Sequence, residues 1–140
     1  MNRTFETTKL LEEMADSEKA KNLLMEIAGS YQFVALDTND IRTIISQGDF
    51  ALICCGYGEK CIDALNEAIS ALQSQNKSIS QAKGILVTVS IKEKHDGMME
   101  AAKALDTFLD CLSTTSKFKW GLSSEEGQQQ PYKVTVMYVE

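Results

Sequence analysis

Between Thr8 and Ala28 the apolar residues Leu10, Leu11, Met14, Ala15, Ala20, Leu23, Leu24, Ile27 and Ala28 recur mostly at three-to-four spacing. That period predicts helix. The polar patch Asp16-Ser17-Glu18-Lys19 predicts a division in two, with Asp16 or Ser17 capping the second helix, and Gly29 offers a stop. Phe33 to Leu36 is a short extended or loop segment. Asp37 or Thr38 caps a short helix carrying Ile41, Ile44 and Ile45 and ending near Gly48. Phe50 to Cys55 is a continuous apolar run, read as a buried strand, after which Gly56-Tyr57-Gly58 turns the chain. Cys61 to Leu72 carries the helical stripe Ile62, Leu65, Ala68, Ile69 and Leu72. A polar loop, Ser74 to Ser80, leads to a second buried strand, Gly84 to Ile91. Lys92 to Gly97 reads as a solvated connection and Met98 to Leu112 as helix, with Met98 and Met99 as core filler. Phe118 to Leu122 alternates as a strand, Ser123 to Gln130 is a polar turn, and Val134 to Val139 is a last strand.

The predicted order is helix, helix, then β-α-β-α-β-β. A strand–helix–strand crossover makes a parallel, right-handed unit, and the final pair, joined by a polar turn, is expected as an antiparallel hairpin. The fold class is therefore α/β (α+β): a mixed four-stranded sheet packed with helices, preceded by an N-terminal helical segment.

Composition narrows the functions. With 140 residues, 44% of them hydrophobic and 24% charged, the chain is the size of one globular domain. Its net charge of −6 argues against a nucleic-acid partner or an anionic membrane held by charge. The N-terminus lacks the apolar run of a secretory signal, and no stretch approaches a membrane span, so a cytoplasmic location is expected. The four cysteines show no CxxC spacing and His95 is the single histidine, so no metal site and no cofactor are expected, and the thiols read as reduced and mostly buried. His95, among charged neighbours, is a solvated loop residue, and Trp120 reads as core or sheet edge. Gly56-Tyr57-Gly58-Glu59-Lys60 is too poor in glycine for a phosphate loop, and Glu59 would repel the phosphate.

Several segments, in order and at matching spacing, carry a family resemblance. Asp40-Ile41-Arg42-Thr43-Ile44 is similar to the D-V-R-T-V stretch that follows the synergy loop of FtsZ, the bacterial tubulin relative. Ala51 to Gly58 resembles the next family strand with its glycine turn, and Asn66-Glu67-Ala68-Ile69-Ser70 the A-x-x-A-I-S helix. Ala82 to Val89 resembles A-K-G-V-L-V-N-I. Trp120-Gly121 and Lys133 to Val136 resemble the terminal F-G and R-V-T-V hairpin. The resemblance covers about three quarters of the chain and is to the C-terminal domain of FtsZ alone. Nothing resembles the family's nucleotide signature G-G-G-T-G-[ST]-G, and Thr88 to Lys92 departs from its N-I-T-G-G stretch. By this resemblance, residues 33–140 are an FtsZ C-terminal-like domain, related to the chorismate-mutase-like fold. Residues 1–32 are a helical segment in the place of the family's central helix, with its stripe Leu10, Met14, Leu24 and Ile27 expected to be buried. So few residues cannot hold a nucleotide domain as well; a natural short protein and an excised domain are both open readings, with Met1 and the N-terminal helix favouring the former.

The family's N-x-D-F-A-D loop inserts against GTP held by the next subunit, where its two carboxylates polarise the attacking water. The matching stretch is Ala35-Leu36-Asp37-Thr38-Asn39-Asp40, which keeps both aspartates and replaces the asparagine, phenylalanine and alanine. The resemblance makes Asp37 and Asp40 candidates for a catalytic contribution in trans, and Asp37, Thr38, Asn39, Asp40 and Arg42 candidates for partner binding. Helix capping by Asp37, with Asp40 in the first turn, explains both aspartates without catalysis. The expected function is non-enzymatic: binding or regulation of an FtsZ-type polymer in cell division as a filament-end cap, the partner being an FtsZ-type protein or a second copy. Two alternatives stand beside it, a homo-oligomeric small-molecule-binding domain and one subunit of a split GTPase. The first of these is the poorer for having only Arg3 and Arg42 as arginines.

Overall fold

The computed structural model describes residues 3–29, 31–34, 36–92, 94–124 and 127–140, with the side chains of 31–34 and 94–96 excepted. Among the described residues six strands and five helices follow one another: β1 (Arg3–Glu6), α1 (Thr7–Met14), α2 (Ser17–Ala28), β2 (Tyr31–Val34), α3 (Thr38–Ile45), β3 (Phe50–Gly58), α4 (Cys61–Ser74), β4 (Gly84–Ile91), α5 (Lys94–Leu109), β5 (Lys117–Ser124) and β6 (Tyr132–Val139). A single 3-10 turn, Ile79–Gln81, precedes β4.

The strands form one mixed sheet in the order β1-β3-β6-β4-β5-β2. This corrects the expected four strands to six. The two additions, β1 and β2, are four residues each and lie at opposite edges. So short a segment completes too few alternations to be told from a loop by pattern. The expected boundary between residues 32 and 33 falls inside β2. A second correction concerns pairing. β5 and β6 are not a hairpin, because β4 lies between them, parallel to β5 and antiparallel to β6. In the same way β6 separates β3 from β4, pairing antiparallel with both. The β4–α5–β5 crossover thus joins adjacent parallel strands, whereas the β3–α4–β4 crossover is split by β6.

Other expectations shift locally. Gly56-Tyr57-Gly58 continues β3 instead of turning the chain. A Cβ at Gly56 would collide with the α4 backbone at Ala64 O and Ala68 N, so glycine is what lets the helix lie against the strand here. α5 begins at Lys94, inside the expected connection, and ends at Leu109, which leaves Cys111 exposed in the following turn. The reading of His95 as a solvated side chain lies outside the described residues.

Two cores flank the sheet. On one face α4 and α5 bury Leu65, Ala68, Leu72, Leu105 and Phe108 against Leu52, Cys54, Ile85, Val87, Val134, Val136 and Tyr138. On the other face α1, α2 and α3 bury Leu10, Met14, Leu23, Ile27, Ile41, Ile44 and Ile45 against Ala51, Ile53, Leu86, Met137 and Val139. Of the predicted N-terminal stripe, Leu10, Met14 and Ile27 are buried and Leu24 is half-buried against the same core. The caps follow expectation: Asp16 Oδ1 accepts from the Glu18 and Lys19 amides at 2.9 and 3.3 Å. Gly29 closes α2 with φ of 79°, where a side chain would be strained. All four cysteines are free thiols, and burial pushes the Cys54 and Cys61 thiols up to about 11 and about 12, so both sit as small neutral hydrophobes.

Candidate functional site

The segment singled out in sequence forms the entry into α3. Leu36 is buried immediately before the cap and Ile41 three residues beyond the cap's first helical turn begins, both in the core shared with α1 and α2. These positions are those of a hydrophobic staple, which fixes the angle at which the chain enters the helix. Between them stands a reciprocal capping box. The Asp40 amide donates to Asp37 Oδ1 at 2.9 Å, and the Asp37 amide donates to Asp40 Oδ2 at 2.9 Å. Two amide donors that the helix cannot satisfy itself are thereby paired. Asp37 and Asn39 are exposed; Thr38, Asp40 and Arg42 are half-buried. Ala35, where the family has asparagine, lies outside the described residues.

Arg42 is turned along the helix and inward. Its guanidinium donates to Asn39 Oδ1 at 3.1 Å, to Thr38 Oγ1 at 3.4 Å and, at 2.9 Å, to the carbonyl of Met14 at the end of α1. One side chain therefore ties α3 to α1. Lys119, on β5, completes the group: its Nζ lies 3.3 Å from Asp40 Oδ1. Asp40 thus has one oxygen on a backbone amide and the other on an ammonium. Burial alone would raise its pKa, but the Asp37 amide and then Lys119 outweigh it and hold the carboxyl below its ordinary value.

The structure places all five sequence-predicted residues, Asp37, Thr38, Asn39, Asp40 and Arg42, at the N-cap and first five positions of α3 and adds Lys119, which the sequence did not point to. No local signal pointed to Lys119, because a strand residue meets α3 only through the sheet topology. With Lys119 beside it, the helix entry has two carboxylates, Asp37 and Asp40, and two cations, Arg42 and Lys119, so it is balanced in charge. Chemically it offers ionised groups held by a rigid helix entry. Asp40 is engaged once at each oxygen, and a carboxylate has about four acceptor sites, so each oxygen keeps a further lone pair.

Among the described residues no group of histidine, cysteine and carboxylate side chains is arranged to hold a metal ion, and no helix is long and apolar enough to cross a membrane. The arginines do not converge on a ligand: Arg3 pairs with Glu26 and Arg42 is engaged as described. Trp120 is 38% exposed on the part of β5 beyond its pairing with β2, which takes in only Leu122 to Ser124.

No protein-family model matches the chain. It is 30% identical over 95 residues to the cell division protein FtsZ 1 of Thermococcus kodakarensis, a match that takes in 66% of this chain and 25% of that protein. It is 23% identical over 121 residues to the cell division protein FtsZ of Porphyromonas gingivalis, taking in 84% of this chain and 26% of that one. The chain therefore spans about a quarter of the length of the curated relatives it matches. Among solved structures, the empty FtsZ dimer of M. jannaschii superposes with a TM-score of 0.69 at 21% identity, over 94% of this chain and 39% of that one. In sequence and in fold the neighbours of this chain are thus FtsZ proteins, matched over a fraction of their length, and the chain is an FtsZ-like protein of the α/β class.

Proposed function

We propose that this chain is a binding protein, not an enzyme, that docks on an FtsZ-type subunit in cell division and caps the filament end. The docking face is the entry into α3: Asp37, Thr38, Asn39, Asp40 and Arg42. The observation that carries the reading is the capping box itself. It presents the exposed Asp37 and Asn39 on a turn fixed by two reciprocal hydrogen bonds, the Leu36–Ile41 staple and the Arg42 tie to α1. Such a turn is pre-organised, so little freedom is lost when a partner meets it. The likeness to FtsZ over this same stretch supplies the kind of partner. Residues 1–140 offer this face and do not resemble the family's nucleotide signature, and a heterologous interface grows only if both halves are present, so docking through this face alone would end a head-to-tail filament.

Sedimentation of FtsZ from the same organism with GTP tests this. Substoichiometric addition of the chain is expected to lower the sedimented polymer, with the chain found in the remainder. Unchanged polymer at a molar excess of the chain would contradict the proposal. Released phosphate, read in parallel, is expected to fall with the polymer; a rise would assign Asp37 and Asp40 a part in hydrolysis in trans.

A further inference from the structure

We propose that the free edge of β1 takes an extended segment of a partner protein, added as a further antiparallel strand and carrying a basic residue immediately before a large apolar one. The site shares no residue with the docking face at α3. β1 is an outermost strand of the sheet. The Thr7 amide donates to the Asp49 carbonyl at 2.9 Å, and the same register sets Phe5 opposite Ala51 and Arg3 opposite Ile53. Antiparallel pairing alternates along a strand, so Arg3 and Phe5 turn their backbone groups to β3, while Thr4 and Glu6 turn theirs outward. The Glu6 carbonyl starts the α1 ladder, as an N-cap carbonyl does. That leaves the Thr4 amide, the Thr4 carbonyl and the Glu6 amide at the edge, and among the described residues no backbone group is bonded to them.

Space is arranged around these three groups. A cavity of about 300 Å³ is lined by Thr4, Phe5 and Glu6 in succession, together with Lys9, Leu10 and Glu13. Successive strand residues point to opposite faces, so a cavity that touches all three runs along the edge of the strand. Each face of the sheet adds a cleft beside it. On the α4 face a cleft of about 320 Å³ opens between Thr4 and the apolar residues Phe50, Leu52 and Tyr138. On the other face a cleft of about 220 Å³ lies between Phe5, Leu10 and Glu13 and the side chains of α2. Strand addition uses such an arrangement, with main chain along the edge and alternate side chains in the clefts.

The clefts select the occupant. A residue opposite Thr4 exchanges both hydrogen bonds with it and sends its side chain into the apolar cleft, at whose mouth Phe50 is exposed. The residue before it lies opposite Phe5 and meets Glu13. In this region Glu6 pairs with Lys9 and Glu26 with Arg3, whereas Glu13, which lines both the edge groove and the cleft beneath it, has no described ionic partner. Lys19 lines that cleft but not the edge groove. A lysine or arginine opposite Phe5 is therefore matched in charge. A second copy of β1 fits less well. With Thr4 opposite Thr4 it sends only a threonine into the apolar cleft.

The test is the fluorescence anisotropy of a labelled peptide, Ser-Val-Lys-Phe-Thr-Ser capped at both ends, titrated with the full chain. Saturable binding to the wild-type chain is expected. Thr4→Pro removes the outward amide at a place where an edge strand tolerates proline. It is expected to weaken binding by about tenfold with little change in melting temperature. A peptide with glutamate in place of lysine is expected to bind the wild-type chain more weakly and Glu13→Lys more tightly, a reversal that does not depend on the proline variant. No binding by the wild-type chain at millimolar peptide, or binding that both variants leave unchanged, would overturn the proposal. So would a wild-type chain that sediments as a dimer and becomes a monomer on Thr4→Pro, since the edge would then belong to a second copy.

Discussion

The two faces of the sheet are built by different means. Under α4 and α5 the sheet is apolar across four strands, and Leu52, Ile85, Val87, Val136 and Tyr138 meet Leu72, Leu105 and Phe108 with no charged group among them. Under α1 to α3 the sheet is apolar only over part of its length. Further along the same strands it presents Thr88, Ser90, Ser123 and Thr135, all buried. Here directed polar contacts join the helices to their surroundings. Thr88 Oγ1 donates to the Ile27 carbonyl at 2.6 Å and Thr7 Oγ1 to the Gly48 carbonyl at 2.6 Å; Arg42 reaches α1 and Lys119 reaches α3. The first face is held by filled volume, which is non-directional. The second adds contacts that fix position, and the candidate site belongs to it. Stability and docking should therefore separate: changes on the first face alter stability alone, and changes at the α3 entry alter docking with little loss of fold.

The largest expected effect is on the first face. Phe108→Ala should cost about 3–5 kcal/mol, read as a lower urea midpoint, because it leaves a cavity between α5 and the sheet. Binding to FtsZ per folded molecule should be unchanged; a specific loss of binding would break the division between the faces. Next, Thr88→Val keeps the volume and removes the hydrogen bond to Ile27, with a cost of about 1–3 kcal/mol for the buried carbonyl left without its donor. A neutral result would mean that the second face, like the first, is held by volume alone. Asp37→Ala should then cost about 1 kcal/mol through the lost cap.

The smallest effect concerns pH. The Asp40 carboxyl is held below its ordinary value in the fold, so its contribution is present above the unfolded value of about 4 and is lost as pH falls through the lower folded value. Asp40→Asn should flatten that part of the acid limb in a melting series. An identical acid limb would show that neither the Asp37 amide nor Lys119 favours the ionised form.

Much of the architecture was legible because its signals are local. The apolar runs at Phe50 to Cys55 and Gly84 to Ile91 are short and lie next to glycine, which reads as buried strand, and the stripe from Cys61 to Leu72 keeps a helical period. Asp16 and Asp37 stand where a side-chain oxygen can pair the first free amides, and both do so. What escaped was non-local. β6 inserts between β3 and β4, and β4 between β6 and β5, by pairings between distant segments that leave no mark on the pattern of either strand. Gly56 and Gly58 read as a turn because glycine commonly makes one, yet here they admit the close approach of α4. The candidate turn was legible through its aspartates and through the likeness of its surroundings to FtsZ. Its charge balance was not, since Lys119 joins Asp40 only once the sheet has formed.

Docking through the α3 entry requires the carboxylate of Asp37 beyond its cap. Asn caps a helix about as well as Asp, so Asp37→Asn removes the charge and keeps the fold. The decisive measurement is therefore the melting temperature of Asp37→Asn beside its effect on sedimented FtsZ polymer. A wild-type melting temperature with the loss of polymer inhibition is the predicted result. Inhibition equal to that of the wild-type chain would show that Asp37 does no more than cap α3, and would contradict the proposed docking face.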